Sequence, residues 1–232
     1  MVALSIIIPV LNEAHSLEEN LSSLHGLLED IKKDKLYEVI LVDGGSTDAT
    51  IEIASAFNNS IVTSKVSGRA AQMNMGAKMA KGQMLLFLHG DTRLPFDFFS
   101  FLNEVKKDEW GFFLLKLSGK AWIFRIIERC INFRSSLTAV ATGDQGIFVG
   151  RQLFSDLKGY ADLPLMEDVE ITKRLRKISS PIVIPKQIVT SSRRWEKRGV
   201  LTTVLLMWRL RLSYFLGVSP HVLAKQYYGA SE

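Results

Sequence analysis

A single cysteine, Cys130, is present in 232 residues. An intrachain disulfide and a multi-cysteine zinc site are therefore excluded, and a reducing compartment is the natural setting. Proline is also sparse, with six residues, and no repeat, low-complexity tract or Pro/Gly/Ser-rich linker interrupts the chain, so one continuous domain is expected over residues 1–232. The opening Met1-Val2-Ala3-Leu4-Ser5-Ile6 lacks a basic segment followed by a long apolar core, does not read as a secretory signal, and makes the cytoplasm the expected location. Charged residues make up 23% and hydrophobic residues 47%, an ordinary balance that excludes intrinsic disorder. The net charge of +5 suits a phosphorylated substrate or an anionic membrane surface. No nucleic-acid recognition motif accompanies that charge, so nucleic acid is not an expected partner.

A long charge-free apolar run is missing as well. Residues 200–218 come closest, but Arg209 and Arg211 stand near the middle. Two arginines at a bilayer centre cost roughly 5–7 kcal/mol, against about 3–6 kcal/mol gained from the Val, Leu and Phe residues. An amphipathic helix is expected instead, with Leu201, Val204, Leu205, Trp208, Leu212, Phe215 and Leu216 as the stripe that docks on the protein's own core or on a membrane surface. Leu206, Met207 and Leu210 fall on the other side, toward a partner or the membrane, the inner face of the cell membrane being the expected one.

What the sequence does contain is alternation. Leu4 to Val10 reads as a buried strand, 12–31 as a helix with leucines at 17, 21, 24 and 28, and a strand from Tyr37 to Val42 closes a βαβ beginning. A helix over 49–56, a strand over 61–63, a helix over 67–80 and an apolar strand over 84–88 continue the pattern. This predicts a Rossmann-like, mostly parallel central sheet with helices on both faces. Beyond it come a helix over 97–107, a strand from Trp110 to Leu117 and a helix over 122–133. Three parts are expected within the one domain: a first half over 1–109, a second half over 110–199, and a C-terminal amphipathic segment over 200–232.

The strand ends carry the chemistry. Leu85-Leu86-Phe87-Leu88 runs into His89-Gly90-Asp91-Thr92, and ligands bind outside the carboxyl ends of parallel strands. Asp91 can hold a divalent cation that in turn holds a diphosphate, or it can merely cap the next turn. His89 is either a ligand or a donor to phosphate. On the same sheet edge lie Ile8-Pro9-Val10-Leu11-Asn12-Glu13 and Asp43-Gly44-Gly45-Ser46-Thr47-Asp48. There Asp43 can accept bonds from a base or ribose, and the glycines let a ligand approach the backbone. Gly68-Arg69-Ala70-Ala71-Gln72-Met73-Asn74 opens a helix whose N–H groups and guanidinium can face phosphates; the alternative is a solvated first-turn arginine. Thr142-Gly143-Asp144-Gln145-Gly146 reads as a pocket loop or a plain turn. Glu167-Asp168 opens a helix as catalytic acids or as caps. Thr190-Ser191-Ser192-Arg193-Arg194-Trp195 offers cations and an aromatic ring, or a basic surface.

Together these segments resemble the family 2 glycosyltransferases of GT-A fold, in particular a short bacterial single-domain subset. The family's Asp-Asp-Gly-Ser-Thr-Asp stands here as Asp43 to Asp48 with Gly44 in place of the second acid. Its Asp-x-Asp stands as His89-Gly90-Asp91, and its Glu-Asp as Glu167-Asp168. The resemblance implies a metal-dependent inverting transfer of a sugar from a nucleotide diphosphate donor, expected to be UDP-linked, to a hydroxyl of a small molecule or lipid. It further implies Mn²⁺ or Mg²⁺ at Asp91 and His89, and Asp168 as the base with Glu167 beside it. Donor contacts fall to Pro9, Asn12, Glu13, Asp43, Gly68, Arg69, Asn74 and Gly90. The acceptor and diphosphate fall to Asp144, Gln145, Arg193, Arg194 and Trp195. Ser191 occupies the position of a glutamine found in processive relatives, so polymer synthesis is not expected. Two other functions fit the same elements: a nucleotidyltransferase, and a degenerate membrane-associated scaffold.

Overall fold

The structure, a computed structural model, describes residues 3–29, 37–57, 59–66 and 68–229. Leu4–Val10 (β1), Ala14–Glu29 (α1) and Tyr37–Asp43 (β2) form the first βαβ unit, followed by Thr50–Ser55 (α2), Ser60–Thr63 (β3), Arg69–Met79 (α3) and Met84–Phe87 (β4). All seven residues of β1 are buried, as a strand covered on both faces must be. Its side chains alternate between two cores. Leu4, Ile6, Ile8 and Val10 meet Leu17, Leu21, Leu24 and Leu28 of α1 on one face, while Ile7 meets Ala70 and Met73 of α3 on the other. Helix α3 lies close because Gly76 faces the sheet: a Cβ there would stand 2.5 Å from Ile7 Cγ2. The last two positions of the helix expected over 12–31, and Ser67 in the helix expected over 67–80, fall outside the described residues.

The chain continues through Thr92–Arg93 (β5), Phe98–Asn103 (α4), Trp110–Leu117 (β6), Trp122–Thr138 (α5), Ile147–Gly150 (β7), Arg151–Asp156 (α6), Glu167–Leu175 (α7), Ile182–Thr190 (β8), Arg193–Arg198 (α8), Val200–Phe215 (α9) and Pro220–Gly229 (α10). One sheet of eight strands results, in the order β3-β2-β1-β4-β7-β6-β8-β5. The first four strands are parallel. β7 then runs antiparallel to β4 and to β6, β8 runs parallel to β6, and β5 runs antiparallel to β8. The sheet is the mostly parallel one expected, but mixed in its second half. Strand β6 has the expected bounds, whereas the helix expected over 97–107 stops at Asn103 and the one expected over 122–133 runs on to Thr138.

This topology gathers the strand ends. β1, β2, β4, β6 and β8 all finish at one edge, and β7 starts there, with Ile147 opposite Phe87. The loops after Val10, Asp43, Phe87 and Thr190 and the turn before Ile147 therefore converge.

Helix α9 corrects the sequence reading of its faces. Leu201, Leu205, Trp208, Leu212, Phe215 and Leu216 are exposed, from 63% to 77%. The buried side carries Thr203 and Leu210, and Leu206, Met207 and Tyr214 pack with Val169, Leu223 and Tyr227 from α7 and α10. The helix is apolar nearly all round, so periodicity cannot choose its inner face; contact with α7 and α10 does. Among the described residues no helix is long and apolar enough to cross a membrane.

Candidate active site

The loops after β1 and β2 are sewn together by side chains. Asn12, at φ 53, accepts a hydrogen bond from Thr47 N at 2.8 Å and donates its own N–H to Ser46 Oγ at 2.9 Å. Glu13 N donates to Thr50 Oγ1, and Ala14 N donates to Asp48 Oδ2 at 3.2 Å, so an acid of the second loop sits at the positive end of α1. Asp43 is 3% exposed, and its carboxylate accepts from Gly45 N at 2.9 Å and Ser46 N at 3.1 Å. It shapes the loop from within. Gln72, which the sequence did not mark, donates from Nε2 to Val10 O at 2.9 Å and Val42 O at 2.7 Å. The same amide explains the unusual glycine at 44, where an added Cβ would stand 3.0 Å from Gln72 Nε2.

A cavity of about 730 Å³ opens at the converging strand ends, within the range of ligand pockets. Of the residues expected from sequence, Glu13, Arg69, His89, Asp91, Asp144, Glu167, Asp168, Arg193, Arg194 and Trp195 line it. Pro9, Asn12, Asp43, Gly68, Asn74, Gly90 and Gln145 do not. Asn74 spends its amide on Tyr160, donating to its carbonyl at 2.8 Å and accepting from its N–H at 2.9 Å. Gln145 is fully buried, its Oε1 accepting from Thr142 N. Gly90 contributes its carbonyl, which accepts from Asn20 Nδ2 at 2.8 Å.

A short 3₁₀ turn over Gly143–Gln145 links the two charged clusters of the cavity. Asp144 Oδ1 receives His89 Nδ1 at 2.9 Å, and Gly143 N donates to Asp168 Oδ2 at 2.8 Å. His89 lies flat against Gly143, where a Cβ would stand 2.5 Å from its Nε2, so residue 143 has no room for a side chain. Asp168 Oδ1 also accepts from Val169 N at 2.6 Å. The backbone turns sharply into α7 at Met166, which takes φ 68, a left-handed conformation that long side chains rarely adopt.

Charge is concentrated here. Enclosure in the cavity acts to raise the Asp144 carboxyl, but the hydrogen bond and charge of His89, with Arg69 and Arg194, outweigh it and hold the group down at about 2. Half of the Asp144 side chain is open to the cavity, which makes these charges, rather than burial, the decisive influence. Glu167 behaves oppositely. It is buried, and desolvation followed by the repulsion of Asp168 pushes it up to about 7. Burial and the neighbouring Asp91 likewise raise Glu13, against the pull of Arg193, whose Nη2 stands 3.8 Å from Glu13 Oε2. Arg69 is kept charged by Glu167, Asp144 and Asp91, although its enclosure opposes this.

Arg193 donates to His15 Nδ1 at 2.9 Å, and Arg194 lies over the Tyr227 ring at 4.8 Å. Trp195 packs into a cluster with Leu115, Leu117 and Phe124. Among the described residues no three of His, Cys, Asp and Glu are grouped to hold a metal ion by themselves. Asp91 nonetheless suits a hard cation that arrives with phosphate. It faces the cavity, and among the described residues its carboxylate accepts one hydrogen bond, from Thr92 Oγ1 at 3.5 Å. Mn²⁺ and Mg²⁺ are commonly held by one or two carboxylates with substrate phosphates completing the shell.

Comparison with known proteins agrees with this geometry. Residues 5–114 match the family described as Glycosyl transferase family 2. The chain is 37% identical over 93 residues to Glycosyltransferase AglE of Haloferax volcanii, a match covering 38% of this chain and 30% of that protein. It is 32% identical over 98 residues to the undecaprenyl-phosphate 4-deoxy-4-formamido-L-arabinose transferase of Pseudomonas fluorescens, covering 39% of this chain and 28% of the other. These matches span about a third of the relatives' lengths. In three dimensions it resembles the mannosyltransferase PcManGT of Pyrobaculum calidifontis, solved with GDP-Man and Mn²⁺, with a TM-score of 0.66 at 21% identity over 96% of this chain and 64% of that one. The S. aureus TarS fragment solved with UDP-GlcNAc gives 0.63 at 21% identity over 82% of this chain and 58% of that one. The fold is thus that of the GT-A glycosyltransferases, and residues 5–114 match glycosyltransferase family 2.

Proposed function

We propose that the protein is a metal-dependent, inverting glycosyltransferase that takes a sugar from a nucleotide diphosphate donor, UDP-linked, and places it on a hydroxyl of a lipid or small-molecule acceptor. The observation that carries this reading is the meeting of Asp91 and Asp168 in one cavity, with Arg69, Arg193 and Arg194 around them. Solved proteins of the same fold hold UDP-GlcNAc or GDP-Man with Mn²⁺. One curated relative is named for an undecaprenyl-phosphate substrate, which supports a lipid acceptor.

In this reading Asp91 holds Mn²⁺ or Mg²⁺, and the ion, when bound, supplies charge neutralisation to the donor diphosphate. Arg69, Arg193 and Arg194 add fixed positive charge where the leaving nucleoside diphosphate gathers negative charge. Asp168 takes the proton of the acceptor hydroxyl as that oxygen bonds to the anomeric carbon, and the bond from that carbon to the diphosphate oxygen breaks on the opposite face. One displacement inverts the configuration. Gly143 and Val169 fix the Asp168 carboxylate by their N–H groups, and Asp144 holds His89 through Nδ1, which leaves Nε2 as the nitrogen for the ion or a phosphate.

Thermal unfolding with UDP, GDP, CDP and ADP, with and without Mn²⁺, tests the donor site. A ligand at about 100 times its dissociation constant stabilises the folded state by ~2.7 kcal/mol. The expected result is a Mn²⁺-dependent shift with UDP that Asp91→Ala loses. Absence of a shift with every nucleotide would overturn the donor assignment.

A further inference from the structure

The cavity is charged at one end and apolar at the other. Between α5 and α9 its walls are Ile123, Ile127 and Ile131 from the first helix and Val204, Met207 and Trp208 from the second. The sugar and diphosphate of a nucleotide-sugar are polar and have no use for such a corridor. At the inner end of the corridor the same two helix faces each present an arginine. Arg134 lies one turn beyond Ile131 and two beyond Ile127, and Arg211 one turn beyond Met207 and two beyond Val204, both lining the cavity beside Asp168.

The acid facing these two guanidiniums is Asp168, and neither of them forms an ion pair with it. Arg125 pairs with Glu128, Arg174 with Glu170 and Arg193 approaches Glu13. Arg134 and Arg211 form no ion pair with any described residue; Arg134 makes one hydrogen bond, to Val140 O at 3.3 Å. Both are partly buried. Burial, followed by the charge of Arg211, lowers Arg134 to about 10, while Asp168 acts the other way; burial also lowers Arg211 against the same pull of Asp168. Two like charges partly withdrawn from water and close enough to repel are incompletely balanced by the one carboxylate of Asp168, and a further anion between them relieves the rest. The planar guanidinium is suited to a phosphate or carboxylate, which it grips through paired N–H groups.

We propose that Arg134 and Arg211 form an anion subsite for the acceptor, which is an amphiphile: a phosphate or carboxylate group between the two arginines, an apolar body in the corridor between α5 and α9, and the reacting hydroxyl at Asp168. This rests on the glycosyltransferase reading and names the acceptor class within it. The hydroxyl and the anionic group lie on the same end of the molecule, and the apolar body leaves past Trp208 toward the exposed side of α9.

The test uses the whole chain and three probes: dodecyl phosphate, neutral dodecyl maltoside and inorganic phosphate. Affinities are read from tryptophan fluorescence below the micelle concentrations. Dodecyl phosphate is expected to bind about tenfold or more tightly than the maltoside, and far more tightly than inorganic phosphate. Arg211→Met and Arg134→Met should abolish that preference, and Arg211→Lys should restore part of it because the charge returns. Equal binding of the two amphiphiles by the native chain, or a preference that survives in both Met variants, would overturn the subsite. Inorganic phosphate binding as tightly as dodecyl phosphate would overturn the apolar corridor. The UDP and Mn²⁺ shift is recorded on each variant: its retention shows that the fold and donor site persist, and its absence in the native chain alongside a phosphate preference would sink the donor reading while leaving the subsite standing.

Discussion

Gly143 donates its backbone N–H to Asp168 Oδ2 at 2.8 Å, across 25 positions of sequence. The bond makes the turn before β7 a support for the first turn of α7. Because the adjacent Asp144 holds His89, the loop after β4 and the acids of α7 are located by one short segment.

Gly143→Ala tests that support. The new Cβ would stand 2.5 Å from His89 Nε2 and 2.8 Å from Cε1, and the ring is pinned at its other nitrogen by Asp144. A loss of about 1–3 kcal/mol in urea unfolding is expected from such overpacking, with turnover falling as Asp168 shifts. A variant as stable and active as the native chain would show that the turn can move freely.

In the proposed mechanism Asp168→Asn removes the proton acceptor while keeping the size of the side chain. Turnover is expected to fall by ~10²–10⁴, the usual contribution of a general base, while the dissociation constant for UDP with Mn²⁺ stays within a few-fold. Steady-state kinetics beside a binding titration separate these. Loss of nucleotide binding with turnover per bound enzyme unchanged would remove Asp168 from the chemistry.

Glu167 makes stability depend on pH. Its folded-state pKa is raised from 4.5 to about 7 by burial and by Asp168. The folded chain therefore holds this proton over a range where the unfolded chain has released it. The stabilisation is complete below about pH 4.5 and is lost as pH rises through 7. Glu167→Gln should gain on the native chain by on the order of 2–3 kcal/mol between pH 4.5 and pH 8, in urea unfolding at the two values. A constant difference between the two proteins would contradict the burial of an acid at this position.

Gly44→Asp would restore the acid common in the family. Here the side chain meets the Gln72 amide, which closes the gap between Val10 O and Val42 O. A lower melting temperature is expected, by the ~1–3 kcal/mol of an overpacked buried site, with no gain in nucleotide affinity. Tighter UDP binding by this variant would show that Gln72 yields.

Several of these relations were legible in the chain and others were not. β1, β2 and β4 announce themselves because strands covered on both faces are apolar without interruption, and their ends brought Asp91, Asp43 and Glu13 to one edge. The antiparallel insertion of β7 between β4 and β6, and the two-residue β5, depend on pairing partners far along the sequence, which local pattern does not report. Gln72 looks like any polar residue of a helix; the one signal was its place among the small and apolar residues Ala70, Ala71 and Met73, facing a glycine where the family has an acid. Helix α9 was legible as a helix, but whether its Leu201, Leu205 and Trp208 stripe docks on the protein's own core was not: with Leu206, Met207 and Leu210 equally apolar on the other side, only the arrival of α7 and α10 decides which is buried.

The central claim is a single inverting displacement at a nucleotide-sugar, and the anomer released when water replaces the acceptor tests it most directly. A UDP-α-sugar is incubated with the protein and Mn²⁺, and proton NMR follows the first free sugar before mutarotation. The β-anomer appearing together with UDP, and neither product forming with Asp91→Ala, is the expected result. The α-anomer appearing first, or release of the nucleoside monophosphate in place of UDP, would contradict it.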